Sequence, residues 1–281
     1  MTGRLYVVAT PIGNLDDVTS RATTVLRDVD CVAAEDTRRT AILLKHIGAS
    51  PRLVSYREEN HARAAKGLIA ALVDGAKIAL VSDAGTPAIS DPGVALVRDA
   101  IAAGVDVVPI PGVSAVTAVL SAAGISCGSF RFVGFLARSG RRRKDEIKRI
   151  AGSDEATVLF ESPHRIATTL GDLAAACGAA RGVCVAREVT KVHEEWVRGT
   201  LGDVADPFAK GTATVRGEFV VVVAGAEAGA DADAGADAGA DAGAGADASD
   251  RDVIDALATE LGVARRIVYA VANRLRSRWA R

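Results

Sequence analysis

The sequence has few cysteines, no long apolar run and none of the common nucleotide-binding motifs. Its four cysteines have no CxxC spacing and lie in or beside apolar segments, which predicts small buried side chains and neither a metal site nor a disulfide framework. No segment resembles a signal peptide or is apolar enough to span a bilayer, which predicts a soluble cytoplasmic protein without a membrane partner. A GxGxxG motif and a Walker lysine are also absent, so dinucleotide and nucleoside-triphosphate binding find no support.

The net charge of −1 hides an uneven distribution. Basic residues cluster at 138–144 and again at 265–281, whereas much of the acidic charge lies in a low-complexity stretch. The two clusters are Arg138, Arg141, Arg142, Arg143 and Lys144, and Arg265, Arg266, Arg274, Arg276, Arg278 and Arg281. This distribution indicates two regions able to contact phosphate.

The hydrophobic pattern predicts two α/β domains. In the first part, strands at 5–9, 30–34, 53–56, 77–83 and 105–109 alternate with helices at 21–28, 38–47 and 61–74. The expected N-caps of the three helices are Thr19, Thr37 and Asn60. Such alternation favours a mainly parallel sheet with helices on both faces and ligands beyond the carboxyl ends of the strands. A second set follows, with strands at 130–136, 156–161, 183–188 and 218–224, a more exposed strand at 194–198, and helices at 144–150 and 164–177.

A chain of 281 residues is long enough for two domains and an appendage. We predict an N-terminal α/β domain at 1–124 and a second α/β domain at 125–225. The almost pure Ala, Gly and Asp segment at 226–249 predicts a linker, because it has too little apolar surface to fold. Residues 250–281 predict a small basic domain of two helices that turns at Gly262.

Three loops follow predicted strands in the first domain. Residues 10–17 alone are typical of an ordinary turn. Residues 81–93 are dense in Gly, Pro, Ser and Asp, which lets a ligand approach the backbone and places a carboxylate at a strand end. Residues 108–115 follow a strand and open a helix, so their amides and Ser114 are expected to face the same crevice.

Five motifs occur in order along the chain: TPIGNL at 10–15, SDAGTP at 82–87, PGVSA at 111–115, ESPHR at 161–165 and REVTK at 187–191. Together they resemble the ribosomal RNA ribose 2'-O-methyltransferases of the tetrapyrrole-methylase superfamily, over about residues 4–225. Five motifs in the correct order are far more specific than any one of them. The Ala-Gly-Asp segment departs from the family pattern.

The resemblance implies a fold, a cofactor and a substrate. It implies the two-domain tetrapyrrole-methylase fold, with a mixed sheet in the second domain, and S-adenosylmethionine bound in the cleft between the domains. It implies a cytidine in the decoding region of 16S rRNA, in the small ribosomal subunit, as the acceptor, and a homodimer as the assembly. The expected cofactor-binding residues are Pro11, Gly13, Asp83, Ala84, Gly85, Pro87, Pro111, Gly112, Ser114 and Ala115.

Charged residues at the strand ends of the second domain are the candidates for catalysis. Methyl transfer to a hydroxyl needs positioning and some help in removing the proton. Lys191 and Glu188 are the first candidates and Glu161 the next, each expected at the cleft. An Arg187–Glu188 ion pair that braces the domains is weighed equally with a direct substrate role, and His164 is read as a helix-start residue.

The basic segment at 138–144 is the expected RNA contact, together with Arg187. A charge run alone is usually a solvated surface, and it is the resemblance that favours RNA. The arginine-rich tail either grips RNA or docks on the enzyme.

Two other functions compete with rRNA methylation. One is methylation of a small tetrapyrrole, which the basic segment and tail disfavour because a small acidic macrocycle needs neither. The other is a non-catalytic RNA-binding or ribosome-assembly protein, which the intact strand-end loops disfavour; bound S-adenosylmethionine would distinguish it.

Overall fold

The computed structural model describes residues 2–57, 61–89 and 93–226. Contacts divide the chain into two units, Met1–Gly229 and Ala230–Arg281, and all described residues belong to the first. The predicted linker beyond residue 226, the predicted helical tail, the predicted helix cap at Asn60 and part of the second loop, Ser90–Pro92, lie outside the described residues. None of the described helices is both long and apolar enough to cross a bilayer.

The first half of the unit contains a five-stranded parallel sheet with the strand order β3-β2-β4-β1-β5. Its strands are β1 (Arg4–Val8), β2 (Cys31–Ala34), β3 (Arg52–Ser55), β4 (Lys77–Val81) and β5 (Asp106–Ile110). β2 is buried along its whole length and β4 along all but its first residue, as expected for inner strands covered on both faces. The predicted parallel sheet is confirmed.

Helices cover both faces of this sheet. They are α1 (Ser20–Asp28), α2 (Thr37–His46), α3 (His61–Val73) and α4 (Val94–Ala102); a fifth helix, α5 (Ala115–Ala122), follows β5 and packs elsewhere. α1 and α2 pack on one face, and α3 and α4 on the other. Thr19 caps α1 as predicted, accepting a hydrogen bond from Ala22 N at 3.1 Å. The predicted cap of α2, Thr37, is wrong, because the carboxylate of Asp36 accepts from Arg38 N at 2.9 Å one residue earlier.

The second half contains a five-stranded mixed sheet with the order β6-β7-β10-β8-β9, in which only β6 and β7 are parallel. Its strands are β6 (Phe130–Phe135), β7 (Ala156–Glu161), β8 (Gly182–Arg187), β9 (Glu195–Thr200) and β10 (Phe219–Val223). Helices α6 (Gly140–Ala151), α7 (Ile166–Cys177) and α8 (Leu201–Ala209) cover one face. The predicted mixed sheet is confirmed, whereas α8 had no sequence prediction.

α5 covers the other face of the second sheet. Its side chains Val116 and Val119 pack with Val158, Cys184 and Val222 of that sheet, although α5 directly follows the last strand of the first. The helix therefore fixes the carboxyl ends of the first sheet against the second sheet. The cysteines fit the expected pattern of small core side chains at Cys31 and Cys184, which are buried.

Candidate active site

A cavity of about 370 Å³ lies between the two sheets. One wall comes from residues that follow β2 and β4 and from the start of α5, and the other from the ends of β7 and β10. The wall has an apolar part and an ionisable part: Ile12, Ile89, Val116, Phe135, Phe160 and Val189, and Glu35, Arg39, Asp83, Glu161 and Glu218. A cavity of this size that combines apolar surface with converging polar groups is typical of a small-molecule site.

Asp83 follows β4 and is held by the neighbouring strand end. Its carboxylate accepts hydrogen bonds from Asp36 N at 2.9 Å and from Arg39 Nη1 at 3.3 Å. Thr10, two residues after β1, pairs with Gly85 through its backbone and donates its hydroxyl to Ser82 O at 3.3 Å. The loops after β1, β2 and β4 therefore support each other around one carboxylate.

Glu35 is a cavity residue that the sequence analysis missed. It follows β2, the strand next to β4, so parallel pairing brings it to the same sheet edge as Asp83. Burial raises the pKa of the Glu35 carboxyl, and the negative charge of Asp83 raises it further. Two carboxylates that repel each other in a partly buried site favour a cationic ligand between them.

The N-terminus of α5 forms another part of the wall. Ser114 is its N-cap residue, yet its side chain makes no capping hydrogen bond, and Ser114, Ala115 and Val116 all line the cavity. The free amides of a helix N-terminus favour an anionic group. The cavity therefore offers a negative region at Glu35 and Asp83 and a partly positive one at α5.

Five of the ten predicted cofactor residues line the cavity, namely Asp83, Ala84, Gly85, Ser114 and Ala115. The other five, Pro11, Gly13, Pro87, Pro111 and Gly112, are not among its lining residues. Gly112 has a supporting role, because a Cβ there would lie 3.0 Å from the Cβ of Ala9. The assignment of all ten residues to the cofactor site stays a prediction.

The segment after β8 holds Lys191 between two carboxylates. Lys191 Nζ donates to Glu188 Oε1 and to Glu218 Oε2, each at 2.8 Å. Burial alone would lower the pKa of Lys191, but the hydrogen bonds to the two carboxylates outweigh it and raise that pKa. Burial alone would raise the pKa of Glu188, but the hydrogen bonds from Lys191 Nζ and Glu218 N and the nearby positive charges together outweigh it and lower that pKa. Lys191 is thus held in its charged form, which favours a positioning role over that of a proton acceptor.

The same segment contacts the first loop of the other half. Thr190 Oγ1 accepts from Asn14 N at 3.1 Å, and a Cβ on Gly13 would lie 2.8 Å from that oxygen and closer still to the Lys191 side chain. Glu188 and Thr190 both have positive φ angles, 51° and 69°, which non-glycine residues rarely adopt. Strained backbone of this kind is concentrated at functional sites.

Glu161 lies at the cavity wall, but contrary to the prediction it is not exposed toward the cleft. Its side chain is fully buried, and its oxygens accept from Arg165 at 2.7 Å, from Ser162 N at 2.7 Å and from Thr169 Oγ1 at 2.6 Å. These bonds make Glu161 a support for the turn at 162–165. Nothing in this arrangement leaves an oxygen of Glu161 ready to take a proton.

Of the two roles weighed for Arg187, the ion pair with Glu188 does not form. Arg187 pairs instead with Glu195 of the neighbouring strand β9, at 2.8 Å, because antiparallel pairing sets these two residues opposite each other. Its side chain is only 13% exposed, so little of it is open to RNA. His164 lies exposed in the turn before α7, which begins at Ile166.

Most of the basic segment at 138–144 is helical, since α6 begins at Gly140. Arg138, Arg141, Arg142 and Lys144 are exposed, as an RNA contact requires. The prediction that Arg143 contacts RNA is wrong. Arg143 lies on the buried face of α6 with Ile147 and Ile150, and its guanidinium donates to Asp172 at 2.6 Å and to Thr169 at 3.1 Å. Its guanidinium is therefore committed inside the protein.

Comparison with known proteins identifies the family. The family model described as "Tetrapyrrole (Corrin/Porphyrin) Methylases" matches residues 4–205. A protein named ribosomal RNA small subunit methyltransferase I from Halalkalibacterium halodurans is 41% identical over 96% of this chain and 94% of its own length. One with the same name from Synechocystis is 46% identical over 80% of each chain.

A solved structure supports the fold. The uroporphyrin-III C-methyl transferase from Thermus thermophilus, complexed with S-adenyl homocysteine, superposes with a TM-score of 0.58 at 18% identity, over 79% of this chain and 97% of its own. At this identity the likeness shows the fold alone, and that fold is the one predicted from the motifs. The family model and the two relatives agree, so the chain belongs to the tetrapyrrole methylases, in the group of the ribosomal RNA small subunit methyltransferase I proteins.

Proposed function

We propose that this protein transfers a methyl group from S-adenosylmethionine to the ribose 2'-hydroxyl of a cytidine in the decoding region of 16S rRNA. The observation that carries the proposal is the likeness, at 41–46% identity over most of the chain, to proteins named for methylation of small-subunit rRNA. The sugar position and the nucleotide come from the resemblance of the five motifs.

The cavity residues fit the predicted cofactor. When bound, S-adenosylmethionine supplies a methyl group activated by a positively charged sulfur. Asp83 and Glu35 provide negative charge for the cationic groups of such a ligand, and the start of α5 at Ser114 and Ala115 provides amides for its carboxylate. The apolar residues Ile12 and Val116 suit an aromatic ring.

The residues around Lys191 fit the task of positioning the acceptor hydroxyl. Lys191 keeps its charge in the clamp of Glu188 and Glu218, so it holds both carboxylates in place. Glu218 lines the cavity and its side chain is 66% exposed, which makes it the carboxylate of the clamp that is open to a substrate. We assign proton acceptance to Glu218 and positioning to Lys191.

The function is tested by incubating the protein with labelled S-adenosylmethionine and purified small ribosomal subunits that lack the modification. Mass spectrometry of the product nucleosides should show 2'-O-methylcytidine, and mapping should place it in the decoding region. Methylation of another nucleotide or atom would correct the substrate. Tight cofactor binding with no methyl transfer to subunits or naked rRNA would favour methylation of a small tetrapyrrole instead.

The exposed basic residues give a prediction for RNA binding. Replacing Arg138, Arg141 and Arg142 together by alanine should weaken rRNA binding and reduce the slope of log K against log salt by about two, since each lost phosphate contact removes about 0.7. Filter binding across a salt series measures both. A matched triple variant, Lys77→Ala with Arg98→Ala and Lys210→Ala, also removes three exposed charges and should leave the slope unchanged. Equal salt slopes in the two variants would show that the basic segment is an ordinary solvated surface and not an RNA contact.

A further inference from the structure

An exposed aromatic ring stands at the mouth of the cavity. Phe135 is 56% exposed, although both of its chain neighbours, Gly134 and Leu136, are buried. The ring lines the central cavity and also two open hollows beside it. It therefore lies where the cavity meets the outer surface.

A β-bulge places the ring there. Phe132 pairs with Val158, but three positions later Phe135 pairs with Phe160, only two positions further along β7. Gly134, with φ at 63°, accommodates the extra residue. Because side chains alternate along a strand, this shift by one residue brings Phe135 to the face of Phe132 and Phe160 instead of the opposite face.

The ring is held in one orientation by its neighbours. Phe135 makes an edge-to-face contact with Phe160, with ring centroids 5.6 Å apart, and Phe160 makes a second such contact with Phe132 at 5.0 Å. Phe160 itself lines the central cavity. A preformed ring of this kind presents a flat surface at little cost in conformational entropy.

Arginines border the ring in the two hollows beside the cavity. One hollow is lined by Phe135 with Arg138, His164 and Arg165, and the other by Phe135 with Arg131, Arg142, Arg149, Asp145 and Glu146. Arg165 is paired with Glu161, and Glu146 pairs with both Arg131 and Arg149, so Arg138 and Arg142 are the arginines left to meet a phosphate among those that line the two hollows. Arg138 and Arg142 are exposed. An aromatic platform bordered by arginines matches the chemistry of an unpaired nucleotide, whose base stacks while its phosphates pair with the guanidinium groups.

We infer that Phe135 is the platform on which the base of the target nucleotide stacks, with Arg138 on the neighbouring phosphate. The base would leave the stack of the rRNA so that its ribose reaches the cavity between the two halves. The inference rests on the proposed rRNA function, and it adds how the protein recognises an unpaired nucleotide. Because every base has a flat aromatic face, the Phe135 ring would accept any base, and other contacts of the protein would select the target nucleotide.

The experiment compares Phe135→Ala with Phe135→Trp and with Phe130→Ala. Phe130 is on the same strand and 42% exposed, but it is not a lining residue of these three cavities, which makes it the matched control. Removing the ring should raise KM for small subunits about tenfold or more, the size expected for the stacking of one base, while the Kd for S-adenosylmethionine stays the same. Phe135→Trp should stay near the wild type.

A second substrate separates stacking from other roles. The wild type and Phe135→Ala are assayed on a single-stranded RNA oligonucleotide that spans the methylated position, with and without the target base. If the ring stacks on that base, the penalty of Phe135→Ala disappears on the abasic RNA.

An unchanged KM, or an equal penalty with and without the base, would overturn the inference. A weakened Kd for S-adenosylmethionine would make Phe135 a cofactor wall, and a changed sedimentation coefficient would make it a contact between copies of the chain; either result also overturns it. A wild type that does not methylate rRNA would instead refute the proposed function, so the two failures are distinguishable.

Discussion

Replacing Asp83 by asparagine should weaken the binding of S-adenosylmethionine by about ten- to a hundredfold. The substitution keeps the shape of the side chain and its ability to accept from Asp36 N, but it removes the negative charge. Hydrogen bonds to charged groups contribute about 1.5–3 kcal/mol, which corresponds to this range of affinity. Isothermal titration calorimetry with the purified variant measures the change without any need for turnover.

The matched control is Asp106→Asn. Asp106 is an exposed carboxylate that pairs with Arg4 at 2.7 Å at the start of β5, the end of the strand away from the cavity. Its loss should leave the Kd unchanged. If both variants bind the cofactor as tightly as the wild type, while their melting curves show folded protein, Asp83 is not part of the cofactor site.

The fold was largely predictable because its strands are short apolar runs between glycines, prolines and polar residues. What the pattern could not show is the packing of α5. A helix that follows β5 is expected on the first sheet, yet Val116 and Val119 pack on the second. The sheet on which α5 packs depends on which apolar faces meet in three dimensions, and the spacing of residues in the sequence does not indicate it.

The site was half predictable for a similar reason. Asp83 and Ser114 were found because they follow predicted strands, and the same rule applied to the strand ending at Ala34 would have found Glu35. The burial of Arg143 also had a sequence signal, since positions 143, 147 and 150 share one face of a helix. The position of Phe135 had only a weak sequence signal, which is the glycine inside its strand. A bulge at that glycine moves every later residue of the strand to the opposite face, so simple alternation gives the wrong face for Phe135.

Replacing Arg165 by alanine should lower the free energy of unfolding by about 3–5 kcal/mol, the cost of removing one partner from a buried ion pair. Glu161 is fully buried and would keep its hydrogen bonds from Ser162 N and Thr169, but it would lose the only cation within 4 Å among the described residues. For a unit of this size, the melting temperature should fall by about 10 °C. Thermal and urea unfolding followed by circular dichroism measure the change.

Two further variants assign the loss to the charge of Glu161. Combining Glu161→Gln with Arg165→Ala replaces the carboxylate by a neutral amide, so the double variant should recover part of the stability that Arg165→Ala loses. Lys210→Ala breaks an exposed pair with Asp206 in α8 and should cost less than about 1 kcal/mol. If Arg165→Ala unfolds at the same temperature as Lys210→Ala, the pair contributes no more than a surface contact, and the hydrogen bonds that Glu161 keeps from Ser162 N and Thr169 are enough to support the turn at 162–165.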